Sequence, residues 1–299
     1  MLDKQKQTLV ILNPASARKT TILAKPEIES CLSKQGIDYH LHVSTSAEDI
    51  MNTVNKFRDR YKNFISVGGD GTAHYIANSL AGTDKNLGII PMGSGNDISS
   101  YFNIPHNIEE CCRIIKKGNT TRIDLGLINN QYYYMGVAGS GFDSEVTDLA
   151  NNTRLPFKGP FKYTYAVYNI LITFRSREFK LAYNSQQRAL HSMMIAVANL
   201  PSYGGGMKVA PDTDPTDGKL DVCIIKRMSK IHFIKVFPTV FEGKHIYDPF
   251  VEMLQTGNIK IDCPRYRFSV FADGEYICKL PAEFDLVPGA LNLIVPPST

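Results

Sequence analysis

The chain has 299 residues, 43% hydrophobic and 21% charged, enough for one large or two modest domains and too apolar for a disordered chain. Thirty-three basic against 29 acidic residues leave a net charge of +4, a bias too mild for a nucleic-acid binder but compatible with an anionic nucleotide or membrane surface. Six cysteines without Cys-x-x-Cys spacing, a polar start running straight into a strand, and no apolar run near the roughly 20 residues of a membrane span point to a cytoplasmic chain with reduced thiols, no signal peptide and no transmembrane segment.

In chain order, Thr8–Leu12 is a β-branched run stopped by Asn13-Pro14. A helix is expected around Glu27–Gln35, a strand at Tyr39–Val43, and a helix over Ala47–Tyr61 with Ile50, Val54 and Phe57 on one face. Phe64–Val67 is an apolar strand leading into Gly68-Gly69, followed by a helix Thr72–Leu80, a strand Leu87–Pro91 and a second glycine-rich turn. Strands alternating with helices imply a parallel sheet with helices on its faces. From about Arg122 short alternating segments take over: Tyr132–Val137, Phe179–Tyr183, Ser192–Asn199, Leu220–Ile225, Ile259–Asp262 and Phe268–Ala272. They read as a mostly antiparallel β-sandwich, interrupted by helices around Phe161–Phe174 and from Ile231 to about Glu242. The expected organisation is therefore an α/β nucleotide-binding domain over 1–122 and a β-sandwich substrate domain over 123–299. The tail from about 288 is a candidate to pack back on the first.

Ser66-Val67-Gly68-Gly69-Asp70-Gly71-Thr72 joins a strand to a helix. Such a junction offers backbone N–H groups and the positive end of a helix dipole, and glycine lets the backbone come close to a phosphate. Asp70 is out of place in an anion site unless it faces a Mg²⁺ or a ribose hydroxyl; a helix-capping Asp in a plain glycine turn is the simpler alternative. Pro91-Met92-Gly93-Ser94-Gly95-Asn96-Asp97 follows the next strand, and Asn13-Pro14-Ala15-Ser16 the first. Loops at the carboxyl ends of neighbouring parallel strands converge on one crevice, which favours a nucleotide site. No Gly-Lys-Ser/Thr and no Gly-x-Gly-x-x-Gly follows a strand, so P-loop and dinucleotide-binding readings are disfavoured.

These three elements resemble the signatures of the diacylglycerol-kinase catalytic domain, a family that includes sphingosine and ceramide kinases and soluble bacterial lipid kinases. The likeness continues in order through Ile123-Asp124-Leu125-Gly126, Gly139-Ser140-Gly141-Phe142-Asp143, Gly204-Gly205-Gly206 with Ala210-Pro211, Asp217-Gly218-Lys219-Leu220-Asp221 and Asp273-Gly274-Glu275. NAD kinases share the fold and the Gly-Gly-Asp-Gly loop but lack the Gly-x-x-Asn-Asp element of Gly93–Asp97. The resemblance implies ATP between two lobes, its phosphates at Gly68, Gly69, Asp70, Gly71 and Thr72, with Asn13, Gly93, Ser94 and Asn96 contributing. It implies an acidic network of Asp70, Asp97 and Asp124 around Mg²⁺, and a structural Mg²⁺ held by Asp217, Asp221 and the Lys219 carbonyl. Glu275, supported by Asp273, would be the base for a lipid hydroxyl. The implied reaction moves the γ-phosphate of ATP to a membrane lipid, most simply diacylglycerol giving phosphatidic acid.

Phosphoryl transfer asks chiefly for alignment and charge neutralisation, with a carboxylate near the attacking hydroxyl, and Mg²⁺ suits oxygen ligands that leave it some waters. Read alone, Asp273-Gly274 is a hairpin turn and Asp217-Gly218 another. Three positions depart from the family pattern: Ala17 where a glycine is common, Tyr75 where a glutamate is frequent, and Ser94 in place of a threonine. A soluble-substrate kinase such as an NAD kinase, or a non-catalytic nucleotide- or lipid-binding relative, remain the alternatives. His40, His42 and His74 are isolated and read as structural, and Cys111-Cys112 as part of a buried helix face. A lipid would be reached by peripheral contact at the inner membrane surface. The apolar segments Phe161–Phe174 and Ile231–Phe241, edged by Lys158, Lys162, Arg175, Arg177, Lys226, Arg227, Lys230 and Lys235, are the candidates, packing on the sandwich being their plain alternative. Self-association into a homodimer is left open.

Overall fold

A computed structural model describes residues 8–16, 20–152 and 160–297. Ala17 and Lys158 lie outside the described residues, as do the side chains of Phe161 and Lys162. The chain forms two compact units, one running to Leu125 and taking back Pro288 onward, the other spanning Gly126–Val287.

In the first unit, β1 (Thr8–Leu12) is buried along its whole length. A 3₁₀ turn at Thr21–Ala24 leads into α1 (Lys25–Lys34), whose first turn holds Pro26, where a missing N–H costs nothing. β2 (Tyr39–Val43) and α2 (Ala47–Phe57) follow, the Ser46 hydroxyl accepting from the Asp49 amide at 3.0 Å to start the helix. The helix ends at Phe57 rather than Tyr61. Tyr61 turns into the core instead, among the rings of His40, Phe57 and Phe64. β3 (Asn63–Gly68) passes into α3 (Asp70–Leu80), with Gly69 in extended backbone at the N-cap. β4 (Asn86–Pro91), α4 (Asp97–Tyr101) and α5 (Ile108–Lys117) complete the alternation, and β5 (Thr120–Ile128) carries the chain out of the unit. Cys111 and Cys112 lie on the buried face of α5, and burial pushes both thiols up to about 12.

β2, β1, β3 and β4 pair in that order, all parallel, and the last strand of the chain joins β4 in parallel at Asn292 and Leu293. The register sets Leu12 opposite Val67 and Gly68 opposite Pro91. The loops after β1, β3 and β4 therefore leave from one edge of the sheet.

The second unit contains β6 (Tyr132–Tyr134), β7 (Val137–Gly141), α6 (Phe142–Asn152), α7 (Pro160–Thr173), β8 (Arg177–Tyr183) and β9 (Gln186–Ala198). β10 (Leu220–Lys226), α8 (Lys230–Val236), 3₁₀ turns at Phe237–Glu242 and Lys244–Tyr247, β11 (Val251–Thr256), β12 (Asn258–Asp262), β13 (Ser269–Ala272), β14 (Glu275–Lys279) and β15 (Ala282–Ile294) follow. Strand pairing within this unit is antiparallel, as the alternating sequence pattern implies. Alternation also divides the core. Ile195 and Val197 of β9 with Val222 and Ile224 of β10 enter one hydrophobic cluster. Met194, Ala196 and Ala198 with Cys223 and Ile225 enter another, covered by Val146 of α6, Leu171 of α7 and Phe233 of α8. Both faces of β10 and of β9 from Ser192 to Ala198 are thus buried, matching their nearly unbroken apolar runs.

Two expectations for this unit are corrected, and one helix is added. Tyr132–Val137 is two strands, broken where the amides of Met135 and Gly136 turn to the Asp273 carboxylate. The helix from Ile231 tightens to 3₁₀ at Phe237 because Pro238 supplies no N–H to continue it. And α6 stands where only a glycine motif is apparent in the sequence.

Candidate active site

The glycines of the first unit are required by how closely its loops approach. A Cβ on Gly93 would lie 2.5 Å from the Gly69 Cα and 2.7 Å from Asn96 Oδ1, and one on Gly68 would lie 2.3 Å from Thr72 Oγ1. Backbone bonds tie the three loops: the Asn13 amide donates to the Val67 carbonyl at 3.0 Å, and that of Met92 to the Gly68 carbonyl at 2.7 Å. Asn13 Nδ2 also donates to Thr72 Oγ1 at 3.0 Å, while its Oδ1 accepts from the Ala15 amide. Asn96, left-handed at φ 57°, closes its own loop by accepting from the Gly93 amide at 2.9 Å and donating to the Gly93 carbonyl at 2.8 Å. Ser94 and Gly95 form the exposed tip between them.

Asp70 is not the cap of its own helix. Its carboxylate accepts from the amides of Asp97 at 3.1 Å and Ile98 at 3.3 Å, pinning the start of α4 to the start of α3. The N-cap of α3 is Gly69, which has no side chain to cap it, so the positive end of the helix dipole faces the loop edge without a side-chain acceptor from the cap. Asp97 is buried beside this contact. Asp124, also buried, accepts from the Gly289 amide at 2.6 Å, and Arg122 Nε donates to the Gly289 carbonyl at 2.6 Å. Tyr75 sits half-buried on α3, its ring edge-on to His74 at 5.3 Å. His40 bonds Tyr61 and His42 bonds Asp49, so the histidines hold structure.

In the second unit Asp273 and Gly274 both take positive φ, 51° and 86°, forming the two-residue hairpin of β13 and β14. The Asp273 carboxylate does more than close a turn. Oδ2 accepts from the Met135 amide at 2.9 Å and Oδ1 from the Gly136 amide at 2.8 Å, which fixes the hairpin against the β6–β7 break. Glu275, half-buried, begins β14 directly after it. Tyr134 is fully buried against Gly126, where a Cβ would meet its ring at 2.0 Å; burial and the Asp273 carboxylate push its hydroxyl well above the usual range.

The sequence Asp214 to Asp221 folds as a tight acidic loop. Asp214 Oδ1 accepts from the Thr216 amide and hydroxyl, and Asp217 Oδ1 from the Lys219 amide at 2.9 Å, across Gly218 at φ 76°. Asp221 is buried; Oδ1 accepts from Gln255 Nε2 at 3.0 Å, and Oδ2 has no bond of normal geometry although the Thr213 hydroxyl is near enough to ease its charge. Burial above all, and then the carboxylates of Asp217 and Asp212, raise its titration. An unused carboxylate oxygen amid surplus negative charge fits a divalent cation. Among the described residues no group of three or more His, Cys, Asp or Glu side chains stands ready to hold a metal, neither Asp70, Asp97 and Asp124 nor this loop.

One buried acid is conspicuous only in the structure. Asp143 lies over Gly139, where a Cβ would be 2.2 Å from its Oδ2, and burial raises its carboxyl to about 6 against a hydrogen bond from Tyr203. Tyr203 pairs backbone to backbone with Met207 at the base of Gly204-Gly205-Gly206, all at positive φ. The available signal was a carboxylate set among Phe142, Val146 and Ala150.

The parallel sheet with interlocked loops and the antiparallel sandwich are the two units that known families match. Residues 7–128 match the diacylglycerol kinase catalytic domain, and residues 136–295 the YegS C-terminal NAD kinase beta sandwich-like domain. A diacylglycerol kinase of Mycobacterium tuberculosis is 33% identical over 96% of this chain and 94% of its own, and one of Bacillus subtilis (strain 168) 28% identical over 97% of each. A Bacillus anthracis str. Sterne crystal structure has the same fold, with a TM-score of 0.80, 23% identity and 99% of each chain covered. A diacylglycerol kinase structure from the same organism gives 0.75 at 22% identity, covering 99% of this chain and 98% of its own. The chain belongs to the diacylglycerol kinase family.

Proposed function

We propose that this kinase transfers the γ-phosphate of ATP to the hydroxyl of a membrane lipid, with diacylglycerol as acceptor and phosphatidic acid as product. The observation that carries the reading is the interlock of three loops at one sheet edge beside an uncapped helix N-terminus, in a chain whose relatives along nearly its whole length are diacylglycerol kinases.

In this reading the α3 N-terminus and the Gly68–Thr72 and Gly93–Asn96 backbones bind the phosphates of ATP, where oriented amides neutralise charge without reorganising. Asn13 and Asp70 act through alignment, the one holding Thr72 and the other holding α4. Glu275 accepts the proton of the lipid hydroxyl, and Asp273 supports it by fixing the hairpin from which it extends. Asp97 and Asp124 would supply negative charge for Mg²⁺, which when bound would offset the phosphate charge; Asp217, Asp221 and the Lys219 carbonyl would hold a second, structural ion. The enzyme meets its lipid by peripheral contact at the inner membrane surface.

A radiolabelled-ATP assay against a panel of lipid micelles and NAD tests this. Diacylglycerol should be labelled, and Glu275→Gln should lower kcat about 10²–10⁴-fold with the fold intact. Label appearing in NAD alone would overturn the lipid assignment, and undiminished transfer by Glu275→Gln would overturn its role as base.

A further inference from the structure

We infer that the outward faces of α7 and of α8 with its following 3₁₀ turn form a docking surface for an anionic phospholipid bilayer. Both helices are apolar on two sides. In α7 the inward positions Ala166, Val167 and Leu171 are buried, yet Tyr165, Tyr168 and Ile172 on the opposite face are 39%, 45% and 71% exposed. In α8 only Phe233 is fully turned inward, while Ile231 and Ile234 are 72% and 43% exposed. Spacings of three and four residues place each exposed set on one helical stripe. The 3₁₀ turn adds Phe241, 47% exposed.

These side chains cannot be accounted for as a loosely packed core. Beneath them runs a line of ring contacts: Phe174 to Phe142 at 5.2 Å, Phe142 to Phe233 at 4.9 Å, Phe233 to Phe237 at 5.8 Å and Phe237 to Phe241 at 6.1 Å. The inward side of each helix is already occupied, so the outward residues have no interior to enter. Lys230 Nζ donates to the Ile172 carbonyl, joining the end of α7 to the start of α8, so the two stripes adjoin. An apolar patch of this kind, contiguous and edged by cations, marks an interaction face.

Charge selects the occupant. From Lys226 to Phe241 the chain carries Lys226, Arg227, Lys230 and Lys235 and no acidic residue, and Pro160 to Arg177 likewise contains none. Lys226 is engaged by Glu252 at 2.9 Å, but Arg227 and Lys235 stand exposed beside the isoleucines. Arg227, Met228, His232 and Phe250 also line an open depression at this edge. Exposed Ile, Tyr and Phe edged by cations match a headgroup layer, where rings and aliphatic groups enter the acyl boundary and cations meet anionic lipid. A second copy would set these cations against themselves. The choice of a bilayer rests in part on the lipid-kinase reading, but the surface can be tested without turnover.

The test is co-sedimentation with vesicles of phosphatidylcholine alone and of phosphatidylcholine with about a quarter phosphatidylglycerol. The wild type should bind the anionic vesicles, weakly in high salt, and the neutral ones poorly. The double substitution Ile231→Ser with Ile234→Ser, and separately Lys235→Glu, should each lower partition about tenfold or more, with thermal midpoints unchanged because the side chains are exposed. The double variant should also keep its activity on short-chain diacylglycerol dispersed in water and lose it on vesicles. The inference fails if the wild type ignores anionic vesicles, if the variants bind as it does, or if the isoleucine changes dissociate a dimer and leave vesicle binding intact. Vesicle binding as described, with no lipid phosphorylated in any form, would sink the acceptor assignment and leave the docking surface standing.

Discussion

In the first unit, Gly93 stands so near Gly69 that a methyl group would strike backbone, and the loops that meet there leave neighbouring parallel strands held in register by the sheet. In the second, Asp273 reaches back to the amides of Met135 and Gly136, more than a hundred residues earlier in sequence, to fix the hairpin that carries Glu275. A parallel sheet delivers its loops to one edge by topology, and glycine is what lets them touch. An antiparallel sandwich offers no common edge of that kind, so its site depends on one side chain bonding to distant backbone. The first arrangement should fail through steric intrusion and the second through loss of a bond.

The largest effect should come from Gly93→Ala, which places a methyl 2.5 Å from the Gly69 Cα. Shifting the loops by about 1 Å should cut kcat about a hundredfold; unchanged steady-state kinetics would show that loop contact does not shape the site. Asp273→Ala should destabilise the fold by roughly 3 kcal/mol, because two buried amides lose a charged acceptor. Urea unfolding midpoints would measure this, and a midpoint equal to that of the wild type would erase the contrast between the units.

A third effect is one of pH. The Asp143 carboxyl titrates at about 6 in the fold against its ordinary 3.8, so the unfolded chain releases this proton first. The stability it provides is whole below about pH 4 and is lost as pH rises through about 6, roughly 3 kcal/mol in all. Asp143→Asn should flatten that part of a stability–pH curve, and an unaltered slope would show that another group titrates there. His245 acts in the opposite sense. Burial lowers its titration, opposed by its bond to the Val209 carbonyl, so its contribution is present above its ordinary range and lost as pH falls below it. The smallest effect should be that of Asn13→Ala, which removes the 3.0 Å bond to Thr72 and should cost about 1 kcal/mol, visible as a small fall in thermal midpoint.

Much of the first unit was legible because its pattern is local. The strands Thr8–Leu12 and Tyr39–Val43 are found as read, and the other elements differ at their ends, where Gly69 or Tyr61 answers to capping or core packing instead of periodicity. In the second unit α6 and the breaks at Met135 and Pro238 were harder to read. An amide turned toward Asp273 leaves no trace in neighbouring residues, and a carboxylate such as Asp143 inside an apolar cluster looks like an ordinary surface residue until the cluster has formed.

The sequence by itself determined the parallel and antiparallel halves, the glycine turns and the roster of acidic residues, because periodicity and left-handed backbone are properties of short segments. Only the tertiary structure decided what each acid does. Asp70 pins α4, Asp124 holds the turn at Gly289, Asp273 fixes a hairpin, and Asp221 keeps an oxygen without a partner. A carboxylate's role depends on which donors reach it, and the donors here come from parts of the chain far away in sequence.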